Sequence, residues 1–497
     1  MTVDSGKIPV WLWVIWALAL VYHLLTIDIS PMPWFDETYF ASMTLHFQKT
    51  GEFMPQIGPM LEYYYPQSKA YGPAYFLVIA ASFKVFGFGM IQMRIPALLF
   101  GFFSIPVVYK ILGLSNIQAG FRNFVFVLAL FDPIYLQNIH SGRMDSMALF
   151  FAFGGIYFLL KGFSQNSFIF YLGCGLSFGV ALLTTPRIAV SLIGPVVALI
   201  LFFFSKPTTK QFFFSLSVAI LIAALYSIWV FWGFGGYQEA YQYFFGKPKE
   251  VLYFKSLADG YISYKKYIPV FQIPVLIILG VFISLTVYYR RAMVWIFWIS
   301  MFNLVAFYTM VNDTGIYSIF SMPWAYICLA CIGQSFTTFV FQEKLLKIGM
   351  IGLVVLNISI FTLKNTVIWL FAASRDTEIV QKQVSQLIPK GSRVIGDEAY
   401  YYFVMKAGSD FQYLDRGAST PQRIDYHKNQ YKYDYIIVRN PAANPFELEW
   451  YFKSQTHKEV GSIIVPRSGN TAQNLSSLLS KIKIEVPKGY EGKIYKR

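Results

Sequence analysis

The chain has 497 residues, of which 56% are apolar, 19% aromatic and only 13% charged. A soluble domain carries about 25% charged residues, so the composition argues against a water-soluble fold of this size. The net charge of +15 is scattered between apolar stretches, which argues against a nucleic-acid partner and fits basic cytoplasmic loops or an anionic lipid ligand.

The first apolar run, 9–25, has no small-residue cleavage site after it and reads as a retained transmembrane helix. Further segments near the ~20 residues needed to cross a bilayer follow at 73–90, 94–113, 119–137, 146–163, 167–184, 187–205, 211–234, 268–288, 292–311, 317–338 and 346–372. Lys161, the stretch 206–210, Arg290 with Arg291, and Lys344 with Lys347 recur at every second turn, marking the cytoplasmic side. Loops 29–72 and 235–267, together with Asn312 and Asp313, then lie outside. The segment 73–90 is short and carries Lys84, and about eleven crossings reconcile both ends if it does not span. Cys174, Cys328 and Cys331 form no disulfide framework; the last two sit within an apolar run and read as small buried thiols.

From about residue 375 the composition turns polar. Helical spacing over 376–388, strand-like runs at 393–395, 435–438, 462–465 and 482–486, and a helical stretch at 446–452 predict a small α/β domain. The expected organisation is an α-helical polytopic membrane domain, 1–373, with about 11–13 transmembrane helices, followed by an extracytoplasmic domain, 374–497.

Chemistry-bearing residues gather in the external segments. Phe40, Met43 and Phe47 share one face of a helix predicted to lie in the membrane interface, with Asp36 at its start. Asp36 has two readings on spacing alone: a base for an acceptor hydroxyl, or a helix cap. The run His140-Ser141-Gly142-Arg143-Met144-Asp145 precedes another helix, where Arg143 offers a fork of donors to a phosphate and Asp145 orients it or assists an acceptor, or the two form an interfacial ion pair with Asp145 as cap. His140 reads as an interface residue. Lys69, Arg94 and Arg187 each read singly as snorkelling cations, and their shared outer face suits an anionic lipid head group. No Walker loop, dinucleotide fingerprint, H-E-x-x-H or zinc-type spacing is present in the sequence. A phospholipid-like donor, which needs only cations and an apolar groove, is favoured over a soluble nucleotide sugar.

In order along the chain, Phe35-Asp36-Glu37, Tyr71-Gly72-Pro73-Ala74-Tyr75-Phe76, Phe86-Gly87 with Arg94-Ile95-Pro96, Arg143-Met144-Asp145 and Leu183-Thr184-Thr185-Pro186-Arg187 resemble the GT-C glycosyltransferases of the protein O-mannosyltransferase and lipid A aminoarabinose transferase type. The resemblance covers roughly residues 9–200. It implies a polyprenyl-phosphate sugar donor, a lipid, glycan or protein acceptor, and an integral plasma-membrane enzyme with its active site on the extracytoplasmic face. Asp36 matches the family's catalytic acidic residue, Glu37 its neighbour, and Asp145 the second acidic position. Lys69 is similar to the lysine that meets the donor phosphate, though the run here is Lys69-Ala70-Tyr71-Gly72-Pro73 where the family often has Lys-Pro-Pro. Arg187 stands where many relatives have a lysine. With Arg143 and Arg94 these cations are expected at the phosphate. No cofactor is expected, and a divalent metal stays open. The rival expectation is a transporter or flippase of lipid-linked saccharides, which would favour internal repeats and charges at the membrane midplane; neither is seen in the sequence.

Overall fold

The structure is a computed structural model. It describes residues 7–54, 56–57, 71–204, 208–245, 291–310, 317–336, 340–414, 420–439, 445–454, 456–466 and 489–497, with short pieces between 469 and 477. Lys69, the expected span 268–288, most of the loop 235–267, Asn312, Asp313 and the expected strand 482–486 lie outside the described residues.

The N-terminal part is helical. Helix α1 (Val10–Leu25) is followed by α2 (Phe35–Thr50), which Gly51 ends in the left-handed conformation, its N–H bonded to the Phe47 carbonyl. Helix α3 (Pro73–Phe86) starts with proline at its first position, where the missing N–H costs nothing. At 14 residues it is about 21 Å long, short of a hydrocarbon core of about 30 Å. Helix α4 (Met90–Leu114) is long and apolar. The apolar stretch 119–137 is not one rod: α5 (Ala119–Leu130) and α6 (Pro133–Ile139) meet at 57°. The cause is local, because Pro133 cannot continue the helix while Asp132 caps the next one, accepting from the N–H groups of Ile134 (2.7 Å) and Tyr135 (2.9 Å).

Helices α7 (Asp145–Gln165) and α8 (Phe168–Thr184) form a tight antiparallel pair. Gly155 permits their approach, since a Cβ there would stand 2.4 Å from the Phe178 ring. After α8 the chain breaks at Thr185, makes one short turn over Pro186–Ile188, and enters α9 (Ala189–Phe204). There follow α10 (Thr209–Trp229), α11 (Tyr237–Phe245), α12 (Arg291–Met310), α13 (Met322–Phe336) and α14 (Val340–Leu370). Among the described residues four helices are long and apolar enough to cross a membrane, five if the bent pair is one span, and five further apolar helices are shorter. Cys174, Cys328 and Cys331 are buried and take part in no disulfide.

The C-terminal part contains α15 (Thr377–Leu387), β1 (Arg393–Gly396), α16 (Tyr401–Lys406), β2 (Asp410–Tyr413), α17 (Thr420–Asp425), β3 (Tyr435–Arg439), α18 (Pro445–Ser454), β4 (Lys458–Ile463) and β5 (Gly492–Lys496). The sheet runs β2-β1-β3-β5-β4, with β1 parallel to β2 and β3, and β5 antiparallel to both its neighbours. This region packs onto the helical part through a shared apolar core. Phe40, Tyr75, Phe76 and Met93 from the helices join Val394, Phe411 and Tyr413 from the sheet side.

That shared core corrects one expectation. Helix α2 does not rest one apolar face on a membrane surface; every residue from Glu37 to Thr44 is buried. The sheet domain covers the face that an interfacial helix would give to water.

Candidate active site

Three segments meet beside the first turn of α2. Trp34 precedes the helix in extended conformation and offers no capping side chain, so Asp36 and Glu37 in the first turn are held by tertiary contacts. Successive helical residues point about 100° apart. Asp36 and Glu37 therefore serve different surroundings.

Asp36 faces the turn before α7. Its carboxylate accepts from the Arg143 guanidinium, which on its other side donates through Nε to Asp145 at 2.5 Å. Arg143 and Asp145 are each 2% exposed, whereas Asp36 is 28% exposed and is the accessible carboxylate of the three. The Arg143 guanidinium also lies between the rings of Trp34 (5.3 Å) and Tyr317 (5.1 Å). Burial disfavours its charge, but Asp145 and Asp36 outweigh burial and push its pKa above the ordinary arginine value. One Arg143 nitrogen (Nη2) and one Asp145 oxygen (Oδ1) are buried without a hydrogen-bond partner.

Arg187 completes the cluster from the break between α8 and α9. Its guanidinium lies over Tyr71 (5.3 Å) and Tyr317 (4.6 Å), so Tyr317 stands between the two cations. Arg187 is exposed, and no carboxylate among the described residues is ion-paired with it. A guanidinium seated on aromatic faces keeps its in-plane donors for an anion.

Glu37 points away from this cluster. It is fully buried and takes a two-pronged contact from Arg94, Nε to Oε1 at 3.0 Å and Nη2 to Oε2 at 2.8 Å. The remaining Arg94 nitrogen donates to the Ile27 carbonyl at 2.7 Å, and Tyr402 adds a bond to Glu37 at 3.3 Å. Burial pushes the Glu37 carboxyl above the usual range while Arg94 opposes that. This corrects two expectations. Arg94 has no surface with which to meet a phosphate, and Glu37 has none for a substrate; together they brace α2 against α4. His140 is likewise buried rather than interfacial, bonding the Ser30 carbonyl (3.1 Å) and the His23 ring (2.6 Å).

Gly142 is the hinge between the two halves of the cluster. Its φ of +63° suits glycine, and a Cβ would stand 3.0 Å from Glu37 Cγ and 3.2 Å from Met93 Cγ. Tyr75 fixes the turn by donating to the Gly142 carbonyl at 2.8 Å. Gly142→Ala is expected to destabilise the protein by about 2 kcal/mol from backbone strain alone, read as a lowered midpoint in thermal unfolding in detergent.

Tyr317, Trp34 and Tyr402 are site residues that sequence reasoning did not single out. Among the described residues no three His, Cys, Asp or Glu side chains gather as metal ligands. The arrangement can hold an anion at Arg187 and present one accessible carboxylate, fixed by a guanidinium, next to it.

Residues 69–232 match the family model of dolichyl-phosphate-mannose-protein mannosyltransferases. The matched stretch contains Arg143, Asp145 and Arg187 but not Asp36. Among curated proteins there is no significant sequence match. In fold, the chain is similar to ArnT from Cupriavidus metallidurans in the apo state, with a TM-score of 0.62, 12% identity and coverage of 98% of this chain and 97% of that one. It is also similar to the same protein bound to undecaprenyl phosphate, with a TM-score of 0.59, 13% identity and the same coverage. The chain thus has an ArnT-like fold with helices long and apolar enough to cross a membrane, and its segment 69–232 is similar to the dolichyl-phosphate-mannose-protein mannosyltransferases.

Proposed function

We propose that this protein transfers a sugar from a polyprenyl phosphate to an acceptor hydroxyl at the extracytoplasmic face of the plasma membrane. The observation that carries the reading is the joining of an accessible Asp36 to Arg143, with the open Arg187 guanidinium across the Tyr317 ring. Undecaprenyl phosphate bound in a protein of similar fold supports the choice of donor.

In the proposed reaction the acceptor oxygen attacks the anomeric carbon from the face opposite the phosphate, so configuration inverts. The new carbon–oxygen bond forms as the bond to the phosphate oxygen breaks, and that electron pair leaves with the polyprenyl phosphate. The acceptor proton passes to Asp36. Arg187 meets the charge that grows on the departing phosphate, where a preplaced donor contributes most. Arg143 holds the Asp36 carboxylate in place, and Asp145 holds Arg143. The acceptor, whether lipid, glycan or protein, is an open part of the proposal, as is the sugar.

The test is transfer in proteoliposomes from a labelled polyprenyl-phosphate sugar, following both glycosylated product and released polyprenyl phosphate. Arg187→Ala is expected to lower kcat/KM for the donor about 10- to 100-fold, the worth of one charged hydrogen bond. Movement of intact donor across the vesicle without release of polyprenyl phosphate would overturn sugar transfer in favour of flipping.

A further inference from the structure

The sheet domain is seated on the catalytic helix by the edge that, in open α/β sheets, forms the ligand crevice beyond the carboxyl ends of the parallel strands. Tyr413, the last residue of β2, donates its hydroxyl to the Phe35 carbonyl at 2.9 Å and is also hydrogen-bonded to the Thr38 hydroxyl. Its backbone N–H donates to the Ile57 carbonyl at 2.9 Å. Asp397, which follows β1, pairs with Arg439 at the end of β3 (2.6 Å), and Arg439 lies 3.7 Å from the Met32 sulfur. Arg375, ahead of α15, donates to the Ile29 carbonyl at 2.5 Å. In α16, Tyr402 is buried and donates to Glu37 at 3.3 Å.

Two of these residues, Tyr413 and Tyr402, grip the stretch 35–38 itself, while Arg439 and Arg375 reach the chain just ahead of it. On one side the turn at 140–145 holds this stretch, Trp34 Nε1 donating to the Ser141 carbonyl (3.3 Å) and Arg143 to Asp36. On the other side, among the described residues, stand Arg94 and the two tyrosines. The first turn has no side-chain cap of its own, so its orientation is set by what grips it from outside. We infer that Tyr402 and Tyr413 of the sheet domain are positioning residues for catalysis: they fix the first turn of α2 and so the placement of Asp36 against Arg143. The sheet domain is thereby part of the active-site scaffold rather than an appended module. Burial holds both hydroxyls protonated, their pKa pushed well above the ordinary tyrosine value, so they act as neutral hydrogen-bonding groups.

The inference rests on the sugar-transfer reading for its catalytic readout and on geometry alone for its structural one. The variants are Tyr402→Phe, Tyr413→Phe and the pair, which keep the rings and remove the hydroxyls. Each single change is expected to lower kcat about tenfold, and the pair on the order of 100-fold, with donor KM within about twofold of wild type. Hydrogen exchange of the amides at 35–40 should speed up about tenfold in the pair, while peptides from α7 and α8 keep wild-type rates. Unchanged exchange at 35–40 overturns the inference whether or not sugar is transferred. Faster exchange with unaltered kcat also overturns it, since the grip would then be structural only. Wild-type protein that releases no polyprenyl phosphate overturns the transfer reading itself, and is recognised separately because the exchange measurement needs no substrate.

Discussion

Asp36→Asn is expected to lower kcat for sugar transfer by about 10³-fold, with the donor KM changed no more than about twofold. The amide is nearly isosteric with the carboxylate and keeps an oxygen that can accept from Arg143, so the helix turn and the guanidinium should stay where they are. What is lost is the capacity to take a proton as the acceptor oxygen closes on the anomeric carbon. Asp145→Asn makes the informative contrast. Asp145 is buried against Arg143 Nε and has no exposed oxygen to offer an acceptor, so its effect must pass through the orientation of Arg143. A loss near tenfold is expected there, in line with one charge-assisted hydrogen bond. Single-turnover assays with labelled donor separate the two. Full activity of Asp36→Asn, or a greater loss from Asp145→Asn than from Asp36→Asn, would show that the proton goes elsewhere.

This ranking of the carboxylates could not be read from their positions in the chain. Arg143-Met144-Asp145 announces a local pair, but the partner that gives it chemical meaning, Asp36, is 107 residues away. Which of two adjacent carboxylates reaches Arg143 depends on helix phase, and both Asp36 and Glu37 carry the same sequence signal. Arg94 was expected at a phosphate because its charge stands near an outer turn; only the fold reveals that Glu37 consumes it. The tyrosines are hidden for another reason. In a chain that is 19% aromatic, Tyr317, Tyr402 and Tyr413 have no contrast with their surroundings, and Tyr402 meets Glu37 across 365 residues.

The fold was more legible where apolar length decides it. The helices Met90–Leu114 and Asp145–Gln165 were expected within a few residues of their limits. Helix α15, β1, β3 and α18 also fall where periodicity placed them. Strands β2 and β5 were not foreseen, since Asp410–Tyr413 and Gly492–Lys496 are short and mix charges into the pattern. Their pairing comes from the sheet and not from local preference. The bend at Asp132-Pro133 did carry a signal, a capping residue directly before a proline, but the continuous apolar run around it masked the break.

Arg94→Leu is expected to destabilise the protein by about 3–5 kcal/mol, as removal of one member of a buried ion pair does. It strands the Glu37 carboxylate in a fully buried position with Tyr402 as its remaining partner among the described residues, and it also frees the Ile27 carbonyl. Glu37→Leu should cost a similar amount, because Arg94 would then sit buried with only that carbonyl to bond. The double variant is the deciding measurement. Two charges taken out of water together lose solvation that their mutual attraction barely repays, so replacing both by apolar residues of similar size should recover most of the loss. A coupling of several kcal/mol in unfolding free energies then identifies the pair as a specificity device. Its purpose would be to fix the rotation of α2 about its own axis, which decides that Asp36 rather than Glu37 meets Arg143. If that is so, the double variant will be stable yet poor in transfer, with Asp36 no longer held to one direction. A double variant that is both stable and fully active would show that Arg143, Trp34 and Tyr413 fix the helix by themselves.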